Sequence, residues 1–187
     1  MGLVNRVALN NKRYYVSDIR LQSEMDQFLY DYGYHCIYVR LDRRIKCTAC
    51  WNETTHEPDR QCTRCLGTGY KILQIERHLV RDVDAPSRKG IWEISLQEPG
   101  MVVNPKYVIY FMSTARPVLG DVIYLPLFDD KTGEIIRLKM RFEIDHPREK
   151  VEDMGMTSHW EVDCRASTAD LKDYEKMLRK KPYVAIN

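Results

Sequence analysis

Hydrophobic and charged side chains alternate strictly between residues 136 and 145. Arg, Lys, Glu or Asp occupies every second position, and the positions between them are Ile136, Leu138, Met140, Phe142 and Ile144. A period of two places the apolar side chains on one face of a strand. The run therefore predicts an antiparallel strand over 135–145, with one face in a core and the other in solvent. The segment from Trp160 to Arg165 alternates in the same way.

Shorter apolar runs, separated by turn residues, predict several further strands. Gly, Pro, Asn and Asp cluster between these runs, for example at 98–100 and 130–133, and such clusters favour turns. The predicted strands span 34–41, 70–80, 91–96, 107–112, 121–128, 135–145 and 158–165. Strands at this spacing are typical of a small barrel or sandwich. We therefore expect a mainly β (α+β) fold, a small antiparallel β-barrel or sandwich with N- and C-terminal helices.

Apolar residues recur at helical spacing in two segments that flank the predicted strands. The first helix is predicted over 17–33, with Ser17 as its cap and Gly33 at its end. Its apolar face consists of Leu21, Met25, Phe28, Leu29 and Tyr32. The second helix is predicted to begin at a capping box, Ser167 to Asp170, and to stop at Pro182. Its narrower stripe consists of Leu171, Tyr174 and Leu178.

Four of the six cysteines form two C-x2-C pairs that are separated by eleven residues. The pairs are Cys47 with Cys50 and Cys62 with Cys65. Each short spacing aims two sulfurs at one point, so two facing pairs predict a tetrahedral four-sulfur metal site. Zn²⁺ in a structural role is the favoured ion, and rubredoxin-like iron and disulfides are the alternatives. Cys36 and Cys164 stand apart and are predicted to be buried apolar residues.

The second cysteine pair belongs to the run Cys62-Thr-Arg-Cys65-Leu-Gly67-Thr-Gly69. This run resembles one CxxCxGxG repeat of the DnaJ cysteine-rich region. The resemblance covers eight residues and implies the local geometry of a zinc knuckle, in which glycine lets the backbone turn towards the sulfur. The first pair has no such glycines, and the resemblance implies no chaperone activity.

Charge gives only weak support for binding to nucleic acid. The formal net charge is +2, from 29 Lys and Arg against 27 Asp and Glu, whereas a nucleic-acid-binding domain usually carries a clear basic surface. Candidate phosphate contacts near the cysteines are Arg43, Arg44, Lys46 and Arg64. Neighbouring carboxylates and the four thiolates offset these charges. A zinc-ribbon nucleic-acid-binding accessory protein therefore remains an alternative hypothesis.

Motifs of catalysis and of membrane insertion are missing from the sequence. It contains no GxSxG, phosphate-loop or HExxH motif, and its five histidines are scattered. Four thiolates would close the coordination shell of a metal, whereas catalytic zinc keeps an open position. No apolar run approaches the roughly 20 residues of a membrane span. We therefore expect that the protein is not an enzyme and does not contact a membrane.

The run from Tyr110 to Phe128 resembles the barrel segments of small virion proteins of tailed bacteriophages. It reads Tyr-Phe-Met-Ser-Thr-Ala-Arg-Pro-Val-Leu-Gly-Asp-Val-Ile-Tyr-Leu-Pro-Leu-Phe, and 142–147 and 160–165 fit the same pattern. The resemblance implies a structural protein of the virion, a neck or head-closure ring subunit between head and tail. A baseplate or tail-completion protein is the close alternative. Its implied partners are other virion proteins and copies of itself in a ring.

These inferences divide the chain into four segments. Residues 1–41 form the N-terminal helix and first strand, 42–70 the four-cysteine insertion, 71–166 the barrel core and 167–187 the C-terminal helix and tail. The expected location is the virion, after synthesis in the host cytoplasm. In this hypothesis the metal shapes a projecting lobe and performs no chemistry.

Overall fold

The computed structural model describes residues 4–9, 12–17, 21–83, 106–129, 131–151, 155–167, 171–179 and 184–185. In chain order its strands and helices are β1 (Val4–Leu9), β2 (Lys12–Ser17), α1 (Leu21–Tyr32), β3 (Tyr34–Lys46), β4 (Tyr70–Val83), β5 (Lys106–Met112), β6 (Val122–Phe128), β7 (Ile135–Val151), β8 (Thr157–Ala166), α2 (Leu171–Arg179) and β9 (Val184–Ala185).

Six of the strands pair in a closed ring. Neighbours follow the order β3, β6, β7, β8, β5 and β4, and β4 pairs back with β3. Every pairing in this ring is antiparallel. The short β9 joins β4 in parallel, while β1 and β2 form a separate hairpin. The prediction of a mainly β fold built on a small antiparallel barrel is confirmed.

The six ring strands lie where strands were predicted and several are longer, whereas β1, β2 and β9 were not predicted. Strand β7 continues past Asp145, and a bulge shifts its register against β8 between Ile144 and His146. A bulge changes the phase of the alternation, which is why the pattern ended at residue 145 while the strand runs on to Val151. The strand predicted at 91–96 lies outside the described residues.

Side chains from all six ring strands fill the inside of the barrel. The fully buried members of this inner core include Cys36 and Tyr38 on β3, Phe111 on β5 and Phe142 on β7. Cys164 on β8 is also fully buried, so the prediction that Cys36 and Cys164 are core residues is confirmed. In small barrels, packed side chains of this kind fill the interior and leave no room for a large cavity.

A second core lies on the outer face of β3, β6 and β7 and also includes Ile75 of β4. Alternate residues of β3 belong to different cores, with Tyr38 inside the barrel and Ile37 and Val39 outside it. Helix α2 covers this outer face with Tyr174 and Leu178, among other residues, and packs on β7. Strand β3 is therefore buried on both faces, which explains its continuous apolar run.

Helix α1 packs against β4, β5 and β8. Leu29 is fully buried, and the Gly33 amide donates to the Leu29 carbonyl at 2.8 Å, so the helix ends where it was predicted to end. The predicted start is wrong, because Ser17 is the last residue of strand β2 and the helix begins at Leu21. Serine is a favoured helix cap, and the residues around Ser17 give no local sign that a strand ends there. Of the capping box predicted at 167–170 only Ser167 is described, and its amide donates to the Arg141 carbonyl at 2.8 Å, while residues 168–170 lie outside the described part of the chain.

Neither helix in the described part of the chain has the length and apolar character needed to cross a membrane.

Candidate metal centre

The four cysteines lie in a loop that β3 and β4 hold at its base. The two strands pair as far as Lys46 with Tyr70, so residues 47–69 begin and end at neighbouring positions. The Cys47 amide donates to the Gly69 carbonyl at 2.8 Å and extends this pairing by one step. The predicted insertion between two strands is thus a lobe anchored on paired backbone.

The four sulfurs converge on one point. The Sγ atoms of Cys47 and Cys62 are 4.0 Å apart, those of Cys50 and Cys65 are 3.4 Å apart, and all four lie within 4.8 Å of one another. Four ligands at about 2.3 Å from a tetrahedral ion would be about 3.8 Å apart. A disulfide needs about 2.05 Å between sulfurs, and all six cysteines are free. The cluster therefore has the dimensions of a four-thiolate metal site.

Backbone hydrogen bonds shape the first cysteine pair into a tight turn. The amides of Cys50 and Trp51 both donate to the Cys47 carbonyl, at 3.3 and 3.0 Å. Trp51 then forms a bridge with Pro58, which closes a small loop between the two cysteine pairs. His56, the histidine that lies between the two cysteine pairs in the sequence, is exposed in this loop and is not part of the sulfur cluster.

The second pair turns through three residues with positive φ. Leu66, Gly67 and Gly69 have φ values of 53°, 68° and 80°. A side chain at Gly69 would lie 2.8 Å from Cβ of Pro58, so the lobe has room only for glycine there. The Gly69 amide points at the Cys65 sulfur, with 3.4 Å between nitrogen and sulfur. This is the geometry that the resemblance to one CxxCxGxG repeat implied, and amide donors of this kind stabilise thiolate charge.

The thiols of the cluster do not ionise equally. Burial raises the pKa of the Cys50 and Cys65 thiols. Burial also opposes ionisation of Cys62, but hydrogen bonds from the backbone of Cys65 and Arg64 and from neighbouring thiols lower its pKa to about 7. Thiolates are the form that binds metal, so uptake of a metal ion would release protons from this cluster.

We call residues 47–69 the metal loop. Leu66 connects this loop to the barrel and to α2. It directly follows the ligand Cys65, is fully buried and belongs to the outer core with Val39, Tyr174 and Leu178. A side chain at Gly67 would lie 3.0 Å from the Tyr174 hydroxyl, so the turn also runs close against the helix. The position of the second cysteine pair therefore determines where an outer-core side chain sits.

Arg43 and Lys46, two of the basic residues near the cysteines, contact other residues of the protein. Arg43 donates to Glu143 at 2.7 Å and to the Gly120 carbonyl at 2.9 Å. The Lys46 ammonium lies 4.2 Å from the ring centroid of Trp51 and 3.8 Å from Glu53. Arg44 and Arg64, the other two candidates for phosphate contact, are exposed. These contacts attach the lobe to the barrel, and binding of nucleic acid by the four residues stays a prediction.

A buried polar cluster, which the sequence analysis missed, lies where strands β3, β4 and β6 meet. It consists of Tyr38, Arg40, Glu76, His78 and Asp121. Arg40 binds Glu76 through Nε and Nη2 at 3.1 and 3.3 Å, and His78 Nε2 lies 2.6 Å from Oε2, the carboxylate oxygen that also accepts from Arg40 Nη2. The Tyr38 hydroxyl donates to Asp121, which also accepts the Leu41 amide at 2.9 Å.

This cluster ties the segment 113–121 to the barrel. Arg40 donates to the carbonyls of Ala115 and Arg116 at 3.0 and 3.3 Å, and the Val118 amide donates to the Tyr38 hydroxyl at 3.1 Å. Burial lowers the pKa of His78 and raises that of Asp121. Burial disfavours the charge on Glu76, but Arg40 and His78 hold its pKa below the usual value. The sequence did contain a signal for this buried cluster, because Glu76 and His78 lie on the same strand face as the core residue Val80.

The two sites have different chemical capacities. The polar cluster contains acid and base groups, but its members Glu76 and His78 are buried and hydrogen-bonded to protein partners. The cysteine cluster is a set of four soft donors that suits Zn²⁺ or iron, and among the described residues no His, Asp or Glu joins it. In comparisons with known proteins, the chain matches no protein-family model and no curated protein sequence.

Proposed function

We propose that this protein is a structural component of a tailed-bacteriophage virion, a subunit of the neck or head-closure ring between head and tail. The observation that carries this proposal is the packed barrel. Its inside is filled by buried side chains from all six strands, so the barrel is a rigid body and not a container for a ligand. A rigid barrel with projecting elements suits a part whose contacts are made with other proteins. In this proposal the protein is not an enzyme.

We further propose that the metal is Zn²⁺ and that its role is structural. The sulfur separations of 3.4 and 4.0 Å bracket the value of about 3.8 Å for tetrahedral zinc–thiolate coordination. Two of the four cysteines are buried and two are partly exposed. Four thiolates satisfy zinc completely, so the ion fixes the lobe and activates no water. Iron in the same four-sulfur shell would be coloured and redox-active, which distinguishes the two metals.

Elemental analysis of purified protein tests the metal. We expect one zinc per chain in the wild type and a loss of at least half of it in Cys50→Ser. Cys164→Ala is the matched control, because Cys164 is buried in the barrel and far in sequence from the cluster. Full zinc occupancy in Cys50→Ser would contradict the assignment of this ligand, and iron in place of zinc would correct the metal.

Quantitative mass spectrometry of purified virions tests the location. We expect the chain in particles of the phage that encodes it, in a copy number that fits a ring. Disruption of its reading frame should leave filled heads and separate tails. Electron microscopy of virions with an antibody label on this chain would instead assign the baseplate if the label lay at the far end of the tail. Virions that lack the chain and assemble normally without it would refute the structural role.

The alternative of a zinc-ribbon nucleic-acid-binding protein makes a different prediction. Affinity for DNA or RNA would fall steeply with salt and would be lost in a variant with Arg43, Arg44 and Arg64 replaced by Ala. Two observations weigh against it. Arg43 is already paired with Glu143, and Lys46 lies on Trp51 beside Glu53.

A further inference from the structure

Helix α1 presents an exposed face that is both aromatic and acidic. Phe28, Tyr30 and Tyr32 are 38%, 60% and 62% exposed. Phe28 and Tyr32 contact each other with ring centroids 5.5 Å apart. The helix carries three acidic residues and no basic residue. We define the α1 ridge as six of its exposed side chains, Glu24, Gln27, Phe28, Tyr30, Asp31 and Tyr32.

Exposed basic side chains lie on helix α2 and on β7, the strand that it packs against, and the exposed carboxylate of Asp173 lies on the same helix. Arg137 and Lys139 on β7 and Lys176 on α2 are exposed. The two elements are joined at this point, because the Glu175 carboxylate accepts the Leu138 amide at 3.2 Å. Within the described residues no ion pair involves Lys139 or Lys176. We define the α2 face as Arg137, Lys139 and Lys176.

The α1 ridge and the α2 face lie on opposite sides of the ring of strands. Helix α1 packs against β4, β5 and β8, which are three consecutive strands of the ring. Helix α2 packs on β7 and covers the outer core of β3 and β6, which are the other three ring strands, and β4 reaches this core only through Ile75, Ile72 and Tyr70. A surface and its electrostatic complement on opposite sides of one subunit cannot meet within that subunit. They can meet between copies.

We propose that the α1 ridge of one copy docks against the α2 face of the next copy, in a head-to-tail contact. This inference rests on the proposed role as a ring subunit and names the surfaces that would build the ring. Head-to-tail contacts use two different patches and close into a ring when the rotation between copies permits it. Opposite charge on the two patches steers the encounter and disfavours ridge-to-ridge or face-to-face pairing.

The sizes of the patches fit such a contact. An aromatic side chain offers about 150–250 Å² of surface, so the three rings of the α1 ridge expose about 300 Å² between them. A stable interface buries about 800 Å² on each partner. The rings would therefore supply apolar area on the two flanks of the helix, with the carboxylates of Glu24 and Asp31 between them. Aromatic and charged side chains together are a usual composition of a protein interface.

Two charge-reversed variants of the full-length, zinc-loaded protein test the contact. One carries Glu24→Lys with Asp31→Lys on the α1 ridge, and the other carries Lys139→Glu with Lys176→Glu on the α2 face. Analytical ultracentrifugation should show that each variant alone associates about tenfold or more weakly than the wild type. An equimolar mixture should regain assembly, because each variant keeps one native surface and the two altered surfaces complement each other.

Glu53→Lys with Glu57→Lys is the matched control. It makes the same change of charge on exposed residues of the metal lobe and should associate like the wild type. Circular dichroism and zinc content establish that every variant is folded. Raising the salt concentration from about 50 to about 500 mM should weaken association of the wild type.

Three results would overturn this inference. They are a wild type that stays monomeric up to its solubility limit in low salt, an α2-face variant that associates like the wild type, and a mixture that stays dissociated. The proposed function is measured separately, by the presence of the chain in virions. If both charge-reversed variants enter virions as the wild type does, the contact is wrong and the virion role stands.

Discussion

Leu66 anchors the metal loop in the outer core. It is fully buried in the outer core and sits beside the ligand Cys65, with a backbone φ of 53°. A non-glycine residue with positive φ is uncommon and persists where the surroundings hold it in place. Here the sulfur cluster on one side and α2 on the other provide that constraint. Its packing therefore contributes to the stability of both the lobe and the helix.

Replacing Leu66 with Ala should lower the free energy of unfolding of the zinc-loaded protein by about 2–5 kcal/mol, because it leaves a cavity in the outer core. Urea denaturation measures this change. Leu73→Ala is the matched control, since Leu73 is 54% exposed and its loss should cost less than about 0.5 kcal/mol. Equal losses in the two variants would show that Leu66 is not an anchor.

His78 makes the stability depend on pH in a predictable direction. Burial, together with Arg40, lowers its pKa, against the opposing effect of Glu76. Its imidazole is thus protonated more readily in the unfolded chain, and its neutral form contributes stability above the unfolded pKa of about 6.5. That stability is lost as the pH falls through this value. Glu76, with a lowered pKa, adds a loss only at more acidic pH.

The free energy of unfolding should therefore fall between about pH 7 and about pH 5, by up to about 1.4 kcal/mol per pH unit for each such group. His35 and His159 contribute in the same direction, because burial lowers their pKa too. His78→Gln should reduce the slope, and His146→Gln, at an exposed position, should keep it. The measurement is urea denaturation of both variants in the same buffers. Equal slopes in both would contradict the role of His78.

At the scale of elements, the metal loop and α2 act as one unit. Tyr174, Met177 and Leu178 of α2 share the outer core with Leu66, and Arg179 donates to the Ile136 carbonyl at 2.5 Å. The nine-residue α2 is too short to be stable alone and depends on this packing. A change in the position of Leu66 therefore weakens the contact between α2 and the barrel.

Removal of the metal should accelerate amide hydrogen exchange in α2 and in residues 47–69 by about tenfold or more. Exchange in the paired strands β5 and β8, which belong to the inner core, should change little. Hydrogen-exchange mass spectrometry before and after treatment with a strong zinc chelator measures both. Unchanged exchange in α2 would show that the helix docks independently of the metal.

At the scale of the whole molecule, the two cores differ in their dependence on the metal. The inner core is made by the six ring strands and Ala115, without any residue of the metal loop, whereas the outer core includes Leu66 from that loop. The pairing of β3 with β6 spans only three residue pairs, the shortest in the ring. Residues of the outer core from both strands, such as Val39 and Val122, cover this seam. A metal ion held by the four cysteines would therefore support this shortest pairing of the barrel from outside.

The zinc-free protein should keep the circular dichroism signal of the barrel at room temperature and unfold at a lower temperature than the zinc-loaded protein. Each 1 kcal/mol of lost stability corresponds to about 2–4 °C for a chain of this size. Thermal unfolding of both forms, followed by far-ultraviolet circular dichroism, measures the difference. Loss of the β signal on chelation at room temperature would show that the metal is needed for the barrel itself.

The sequence by itself determined the features that depend on local periodicity and spacing. Alternation along 136–145 predicted a strand, the apolar positions of 21–32 predicted a helix, and the two C-x2-C pairs predicted four converging sulfurs. Each of these signals is written in residues close together in the chain. Ser17 was misassigned for the same reason, since a serine before a helical pattern looks like a cap whether or not a strand ends there.

Only the tertiary structure decided which distant residues meet. The closure of β3 on both β4 and β6 brings Asp121 against Tyr38 and places Glu76 between Arg40 and His78. It also turns Leu66 into a core residue and separates the aromatic, acidic surface of α1 from the basic surface around α2. Such contacts join residues that lie tens of positions apart, and strand order determines them. Local patterns contain no information on strand order, because each strand is compatible with many neighbours until the ring closes.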